Sequence, residues 1–218
     1  MVAFTTRAGG VSEGVYESLN LTTGTGDDPA SVERNRELAC EAVGVPLDSL
    51  AFNRQVHSPT VHRARSGARG EPGDGLWSDQ RGLSMLAMSA DCLPIAVALP
   101  GKRRALAVLH AGWRGLAEGV IAAGVDALGG GETTAIIGPA IGPCCYEVGE
   151  EVSMLFDEDL THESRLDLWT AAERALQAAG VARVDRVDLC TQCHSELFFS
   201  HRRSGRARGV QGVIGAVA

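Results

Sequence analysis

The segment from Ser89 to Gly115 constrains this chain more than any other. It opens with Ser89-Ala-Asp-Cys-Leu-Pro-Ile95 and closes with His110-Ala-Gly-Trp-Arg-Gly115. Between these lie an apolar run to Leu99, a Pro100-Gly101 turn, basic Lys102 to Arg104 and a second apolar run, Ala105 to Leu109. Two short apolar runs separated by Pro-Gly predict paired, buried strands. In an antiparallel hairpin the start of one strand lies beside the end of the next, so Cys92 and His110 can face one another. A thiolate beside an imidazole is either part of a metal site or a nucleophile–base pair.

A chain of 218 residues supports one sizeable core, and the simplest organisation is a single domain over 1–218. The net charge of -7 gives no basic face for nucleic acid. The Arg clusters at 63–69 and 202–208 are expected to be solvated loops. Neither a signal-type leader nor a run of ~18–20 apolar residues is visible, so a cytoplasmic, non-membrane protein is expected. Its six cysteines are then expected to be reduced, buried or metal-binding rather than disulfide-bonded.

Strands are predicted at 3–6, 50–57, 61–65, 83–88, 135–137 and 184–189, besides the hairpin. The segment at 50–57 should deliver His57 at its C-terminal edge, and a polar, Gly-containing loop should run from 66 through Gly75. Asp28 and Pro29 are suited to starting a helix that stops at Gly44. Further helices are predicted at 115–128, 150–157 and 165–179, the last ended by Gly180. The Gly- and Ser-rich stretch 8–21, interleaved with Val11, Tyr16, Leu19 and Leu21, is expected to be an ordered loop near the site. Strands alternating with helices, plus one antiparallel hairpin, predict a mixed α/β domain.

His57, Cys92 and His110 all fall at strand ends beside Gly or Pro turns, and three such ligands with one open position suit catalytic zinc. The same Cys92 and His110 also suit a cysteine hydrolase, with Asp91 or Asp74 orienting the base. Cys190-Thr-Gln-Cys-His194 matches the c-type haem attachment pattern, but that chemistry belongs to exported proteins. Its two cysteines could bind zinc, although no second Cys pair stands at the usual spacing, and adjacent Cys144 and Cys145 are poorly placed to bridge each other. Gly24-Thr-Gly26 lacks the rest of a dinucleotide fingerprint. Arg7, Arg54 and Arg114 are the guanidinium groups best placed to meet an anion at a Gly-rich turn.

Seven blocks then occur in order: Phe4-Thr-Thr-Arg-Ala-Gly-Gly-Val-Ser12, Ser18-Leu-Asn-Leu21, Gln55-Val-His57, Ser89-Ala-Asp-Cys-Leu-Pro94, His110-Ala-Gly-Trp-Arg-Gly115, Gly138-Pro-Ala-Ile-Gly-Pro-Cys144 with Tyr146-Glu-Val-Gly149, and Phe198-Phe-Ser-His-Arg-Arg203. In these the chain resembles the laccase-domain family, whose members are also described as multicopper polyphenol oxidases, peptidoglycan editing factors and purine nucleoside phosphorylases. The resemblance implies zinc held by His57, Cys92 and His110, and an α/β/β/α layered fold. It implies phosphorolysis of adenosine, inosine and methylthioadenosine, with adenosine deamination as a side activity. Two positions depart from the pattern: Ala172 stands where Asn is expected, and His201 where Tyr is common.

Physics weighs the conflicting labels. Multicopper oxidation needs a blue-copper centre and a copper cluster, hence many His ligands, and six scattered histidines without a His-x-His pair supply them poorly, so copper is the lesser alternative. For phosphorolysis, zinc and Arg54 or Arg114 are expected to position phosphate, and Asp91 or Cys144 to assist the departing base. Asn20 and the Gly142-Pro-Cys144 turn are expected to contact ribose or base. An amidase acting on muropeptide precursors, through Cys92 or zinc, is the alternative enzyme.

Overall fold

The computed structural model describes residues 1–217. In chain order the elements are β1 (Val2–Phe4), α1 (Pro29–Ala42), β2 (Ala51–Arg54), β3 (Val61–Arg63), β4 (Arg69–Pro72), β5 (Gly75–Ser78), β6 (Ser84–Ser89), β7 (Leu93–Leu99) and β8 (Ala105–Ala111). There follow α2 (Trp113–Ala117), α3 (Val120–Ala127), β9 (Thr134–Ile137), α4 (Glu150–Ser153), β10 (Thr161–His162), β11 (Arg165–Leu166), α5 (Leu168–Ala178), β12 (Arg183–Arg186), α6 (His201–Ser204) and β13 (Gln211–Ala216).

Two mixed sheets carry the fold. One has the order β1-β13-β6-β2-β4, the other β12-β9-β7-β8-β5-β3. The predicted hairpin is present, with Leu93 opposite Ala111 and Pro94 opposite His110. Both its strands are apolar on both faces because the second sheet is covered on both sides. On one side Ala96, Leu106 and Val108 pack with Met85, Ala87 and Val213 of the first sheet. On the other, Leu93, Ile95 and Leu109 pack with Val120, Ile121, Leu168 and Leu176 from the helices. Helix α1 closes the opposite surface through Ala39 and Cys40 against Leu50, Leu86 and Ile214. The layering is therefore α/β/β/α, a mixed α/β fold. No helix among the described residues is long and apolar enough to cross a membrane.

The start of α1 follows its sequence: Asp28 accepts from the Ser31 amide, with Pro29 in the first turn. Elsewhere the boundaries differ from expectation. The helix expected over 115–128 is two helices, broken at Gly119, whose φ of +92° the α-helix does not accommodate. The loop expected through Gly75 contains the exposed edge strand β4, and the unforeseen β5 begins at Gly75 itself; β5 pairs with β8, and Gly75 is needed because a Cβ there would meet Leu109 at 2.6 Å. The helix expected from 165 begins at Leu168, because Arg165 and Leu166 pair with Thr161 and His162 and Asp167 caps the first turn through the Thr170 amide. The helix expected over 150–157 is only Glu150–Ser153, and the last predicted strand runs from Arg183 to Arg186.

The stretch 8–21 is an ordered loop, as its interleaved apolar residues suggest. Buried Asn35 on α1 holds it: the side chain accepts from the Val11 amide at 2.8 Å and donates to Ser12 Oγ, Ser18 O and Asn20 O.

Candidate metal centre and cleft

His57, Cys92 and His110 converge. Their potential ligand atoms all lie within 4.8 Å of one another, with His57 Nε2 3.8 Å from Cys92 Sγ. The hairpin supplies Cys92 and His110, as adjacent strand ends require. His57 arrives from the loop after β2, in a left-handed backbone conformation with φ +60°.

The residue that assembles this group is Asp74, the last residue before β5. Its buried carboxylate accepts the amides of Val56 at 3.1 Å, His57 at 3.0 Å and Ser58 at 2.7 Å, the Ser58 hydroxyl at 3.0 Å, and His110 Nδ1 at 2.9 Å. Burial alone would raise the pKa of Asp74, but the His110 hydrogen bond and these backbone donors outweigh it and hold the carboxyl well below its usual range. An ionised carboxylate only accepts, so His110 Nδ1 carries the proton and its Nε2 is left for Cys92 or a metal. Burial likewise opposes ionisation of Cys92, yet the charge and hydrogen bonds of His110 and His57 bring its thiol down to about 6. His110 moves the other way: burial disfavours its cation, but Cys92 and Asp74 raise it to about 9.

Two imidazoles and one thiol form a donor set suited to zinc. Tetrahedral ligation with Zn–N of about 2.0 Å and Zn–S of about 2.3 Å needs N···S separations of about 3.5 Å, close to the 3.8 Å between His57 and Cys92. Gly112 leaves room for this arrangement, since a Cβ at that position would lie 2.9 Å from both Cys92 Sγ and the His57 ring. The residues present therefore fit a metal ion.

The three side chains line a cleft of about 750 Å³. Phe52, Met88 and Val210 supply apolar wall; the loop Thr22–Thr25 supplies hydroxyls and amides; Arg36, Arg54, Arg206 and Arg208 supply positive charge, and no carboxylate among the described residues lines it. Most of these arginines have protein partners or face solvent. Arg208 differs: its Nε is buried with no hydrogen-bond partner among the described residues, although its Nη1 donates to Gly205 O at 2.9 Å. Arg208 lies in the Arg/Gly run expected to be solvated, and composition hid it because its burial comes from long-range packing. His201 also lines the cleft, whereas Ala172 is buried in α5, away from it.

The other residues singled out by sequence fall in several places. Arg54 lines the cleft. Arg114 does not; its guanidinium stacks 5.0 Å from the Trp113 ring centroid. Asp91, with φ +99°, turns its carboxylate away to accept the Thr191 hydroxyl at 2.6 Å and the Arg202 amide at 2.7 Å. His110 is thus oriented by Asp74 and not by Asp91. Asn20 is fully buried and binds its own loop, donating to Thr22 O and Asp27 and accepting from the Val210 amide, so it shapes the Thr22–Thr25 wall without lining the cleft. Gly142 and Cys144 lie at a separate group formed by Cys144, Cys145, Cys190 and Cys193. The expectation that no second cysteine pair completes Cys190 and Cys193 is thereby overturned, because the fold brings the adjacent pair to it.

A family model described as multi-copper polyphenol oxidoreductase laccase matches residues 1–217. A Pseudomonas aeruginosa protein named purine nucleoside phosphorylase PA4543 is 39% identical over 217 residues, covering 93% of this chain and 87% of that protein. Purine nucleoside phosphorylase YlmD from Geobacillus stearothermophilus is 34% identical over 242 residues, covering 97% of this chain and 87% of that protein. The crystal structure of Neisseria meningitidis NMB0706 superposes with a TM-score of 0.89 at 35% identity, covering 100% of this chain and 94% of that one.

Proposed function

The chain belongs to the multi-copper polyphenol oxidoreductase laccase family, and we propose that its activity is zinc-dependent phosphorolysis of purine nucleosides: adenosine, inosine and methylthioadenosine. The observation that carries this reading is the placement of Arg208, with an unpartnered Nε–H, in the same carboxylate-free cleft as His57, Cys92 and His110. A buried guanidinium donor without a partner is costly unless an anion completes it. Relatives named purine nucleoside phosphorylase support the same choice.

In this reading Arg208 and Arg54 seat phosphate, Phe52, Met88 and Val210 take the apolar face of the purine, and the Thr22–Thr25 loop meets the ribose. His57, Cys92 and His110 hold the metal, with Asp74 fixing the His110 imidazole and the backbone of His57. Bound zinc supplies Lewis acidity toward an oxygen of the reacting partners. A phosphate oxygen forms its bond to C1′ as the bond from C1′ to the base breaks. The base leaves with the electron pair and takes up a proton. With Asp91 committed to Thr191 and Arg202, and Cys144 outside the cleft, the proton is assigned to His201, whose Nδ1 donates to Gly205 O at 3.1 Å and whose Nε2 is left to face the cleft. Exchange of the C6 amino group of adenosine for a water oxygen is proposed as a side activity of the same cleft.

The test is metal-quantified protein incubated with adenosine, with and without phosphate, reading adenine, ribose-1-phosphate and inosine together. Phosphate-dependent adenine with equimolar ribose-1-phosphate is the expected result. Its absence with zinc bound would overturn the reading. A second reading, a cysteine amidase acting on muropeptide precursors, is favoured by the Cys92–His110–Asp74 chain. It predicts turnover that needs Cys92 and ignores phosphate. The His₂Cys set also suits a mononuclear copper, but an oxidase cluster needs further histidines, and His62 and His194 are engaged elsewhere with Pro72 O and Glu196.

A further inference from the structure

We propose that Cys144, Cys145, Cys190 and Cys193 form a second metal site, a closed tetrathiolate that binds zinc. The four sulfurs lie within 4.8 Å of one another, with Cys144 3.7 Å and Cys145 3.4 Å from Cys193. A tetrahedral ion with Zn–S bonds of about 2.3 Å needs sulfur–sulfur edges of about 3.8 Å. These separations approach that figure, and four thiolates without water or histidine are the donor set of structural rather than catalytic zinc.

The surrounding backbone gives independent support. Cys190 and Cys193 sit in a tight turn closed by the His194 amide on Cys190 O at 3.0 Å. The Gly142 amide donates to Cys190 Sγ at 3.3 Å, and the amides of Gln192 and Cys193 face the same sulfur. Such N–H···S contacts spread the excess negative charge of a tetrathiolate centre, the role that outer hydrogen bonds play at metal sites. Arg203 fixes the turn from behind, donating to the carbonyls of Thr191 and Gln192 at 2.8 and 3.0 Å. The second pair stands on another turn, where the amides of Cys145 and Tyr146 both donate to Gly142 O. Adjacent cysteines, unsuited to bridging each other, can both reach one ion.

The site would act as a clip. It joins the segment after β9 to the segment before α6, which already meet through Ala140 and Cys190. Both segments hold Asp91: the Ile141 amide donates to its carbonyl at 2.8 Å and the Thr191 hydroxyl to its carboxylate. Asp91 precedes Cys92, so the clip braces the turn that delivers the cleft thiol without contributing to the cleft.

Protein purified under reducing conditions with zinc is expected to hold two zinc ions per chain. Cys193→Ser and Cys145→Ser should each lose one, whereas a His57→Ala, Cys92→Ala double variant should lose the other and retain this one. Cobalt(II) loaded into that double variant should show the strong sulfur-to-cobalt charge transfer of thiolate ligation. Chelation of that variant should lower its melting temperature by about 5–10 °C. In wild-type protein, reagent-accessible thiols should rise by four at this cluster as zinc is released. The proposal would be overturned by reduced wild-type protein holding only one zinc with all four thiols freely titratable, by a Cys145–Cys193 disulfide found after non-reducing alkylation, or by iron in place of zinc.

Discussion

Asp74 and His110 are joined twice: His110 Nδ1 donates to the Asp74 carboxylate at 2.9 Å, and the His110 amide donates to the Asp74 carbonyl at 2.7 Å. The same carboxylate takes the backbone of His57, so one buried side chain sets two of the three potential metal ligands in place. Asp74→Asn should therefore lower metal affinity by about 10–100-fold while leaving the fold intact. Competition with a calibrated chelator measures the loss, and an unchanged affinity would show that the imidazoles orient themselves.

In metal-free protein the thiol of Cys92 is brought to about 6 by its imidazole neighbours. Its alkylation by iodoacetamide should rise with pH to a half-point near 6 and then level, where an ordinary thiol continues to gain reactivity toward about pH 8.5. The sign for stability follows from the same shift. A thiol more acidic folded than unfolded stabilises above the ordinary thiol range, and that contribution is lost as pH falls through about 6. Zinc should protect Cys92 at every pH tested.

Gly112→Ala fills the space between Cys92 and His57, where the added carbon would stand 2.9 Å from each. Gly112 has an ordinary φ of -79°, so the backbone tolerates alanine and the damage falls on the ligands. Zinc bound at this centre should drop to substoichiometric levels in metal analysis, with far-ultraviolet circular dichroism unchanged.

Arg208→Gln removes the buried donor proposed for phosphate. The loss of a charge-assisted hydrogen bond should raise the KM for phosphate about 10–100-fold. Initial rates at varied phosphate and saturating adenosine would read this directly, with metal content unchanged. An unaltered KM would place phosphate elsewhere in the cleft.

Asn35→Ala leaves the Val11 amide and the buried Asn20 carbonyl without their side-chain partner, while the Ser18 carbonyl keeps only the Ser12 amide. Urea denaturation should show a stability loss of about 1–3 kcal/mol. Because Asn35 holds the loop whose end forms the Thr22–Thr25 wall, the KM for nucleoside should rise as well.

The hairpin was legible because two unbroken apolar runs and a Pro-Gly turn leave little alternative, and with it came the Cys92–His110 pairing. His57 was legible only as a strand-end residue. Its approach depends on Asp74, 17 residues further on, through backbone hydrogen bonds that no local pattern encodes. Arg208 and the four-cysteine group share this difficulty. Arg208 sits among residues of solvated composition, and Cys144 meets Cys193 across 49 positions, so neither is visible before the segments are packed. Asp91, Cys144 and Arg114 stand out because they lie within recognisable blocks, yet membership of a block does not decide which way a side chain turns. The break at Gly119 shows the same limit at the level of helices: the apolar spacing continues across a residue whose backbone does not.

Strand β13 lies between β1 and β6, and among the described residues β1 pairs with no other strand: Val2 meets Gly215, and Phe4 meets Val213. During synthesis, β1 must then wait for a strand that follows it by about 200 residues. Until residues 211–216 arrive, β1 has no ladder to join and β6 keeps an open edge, a long-range closure that slows folding and exposes strand edges. A ribosome-stalled chain ending near residue 205 should accordingly be more protease-sensitive at β1 than at the β7–β8 hairpin, which closes on its own.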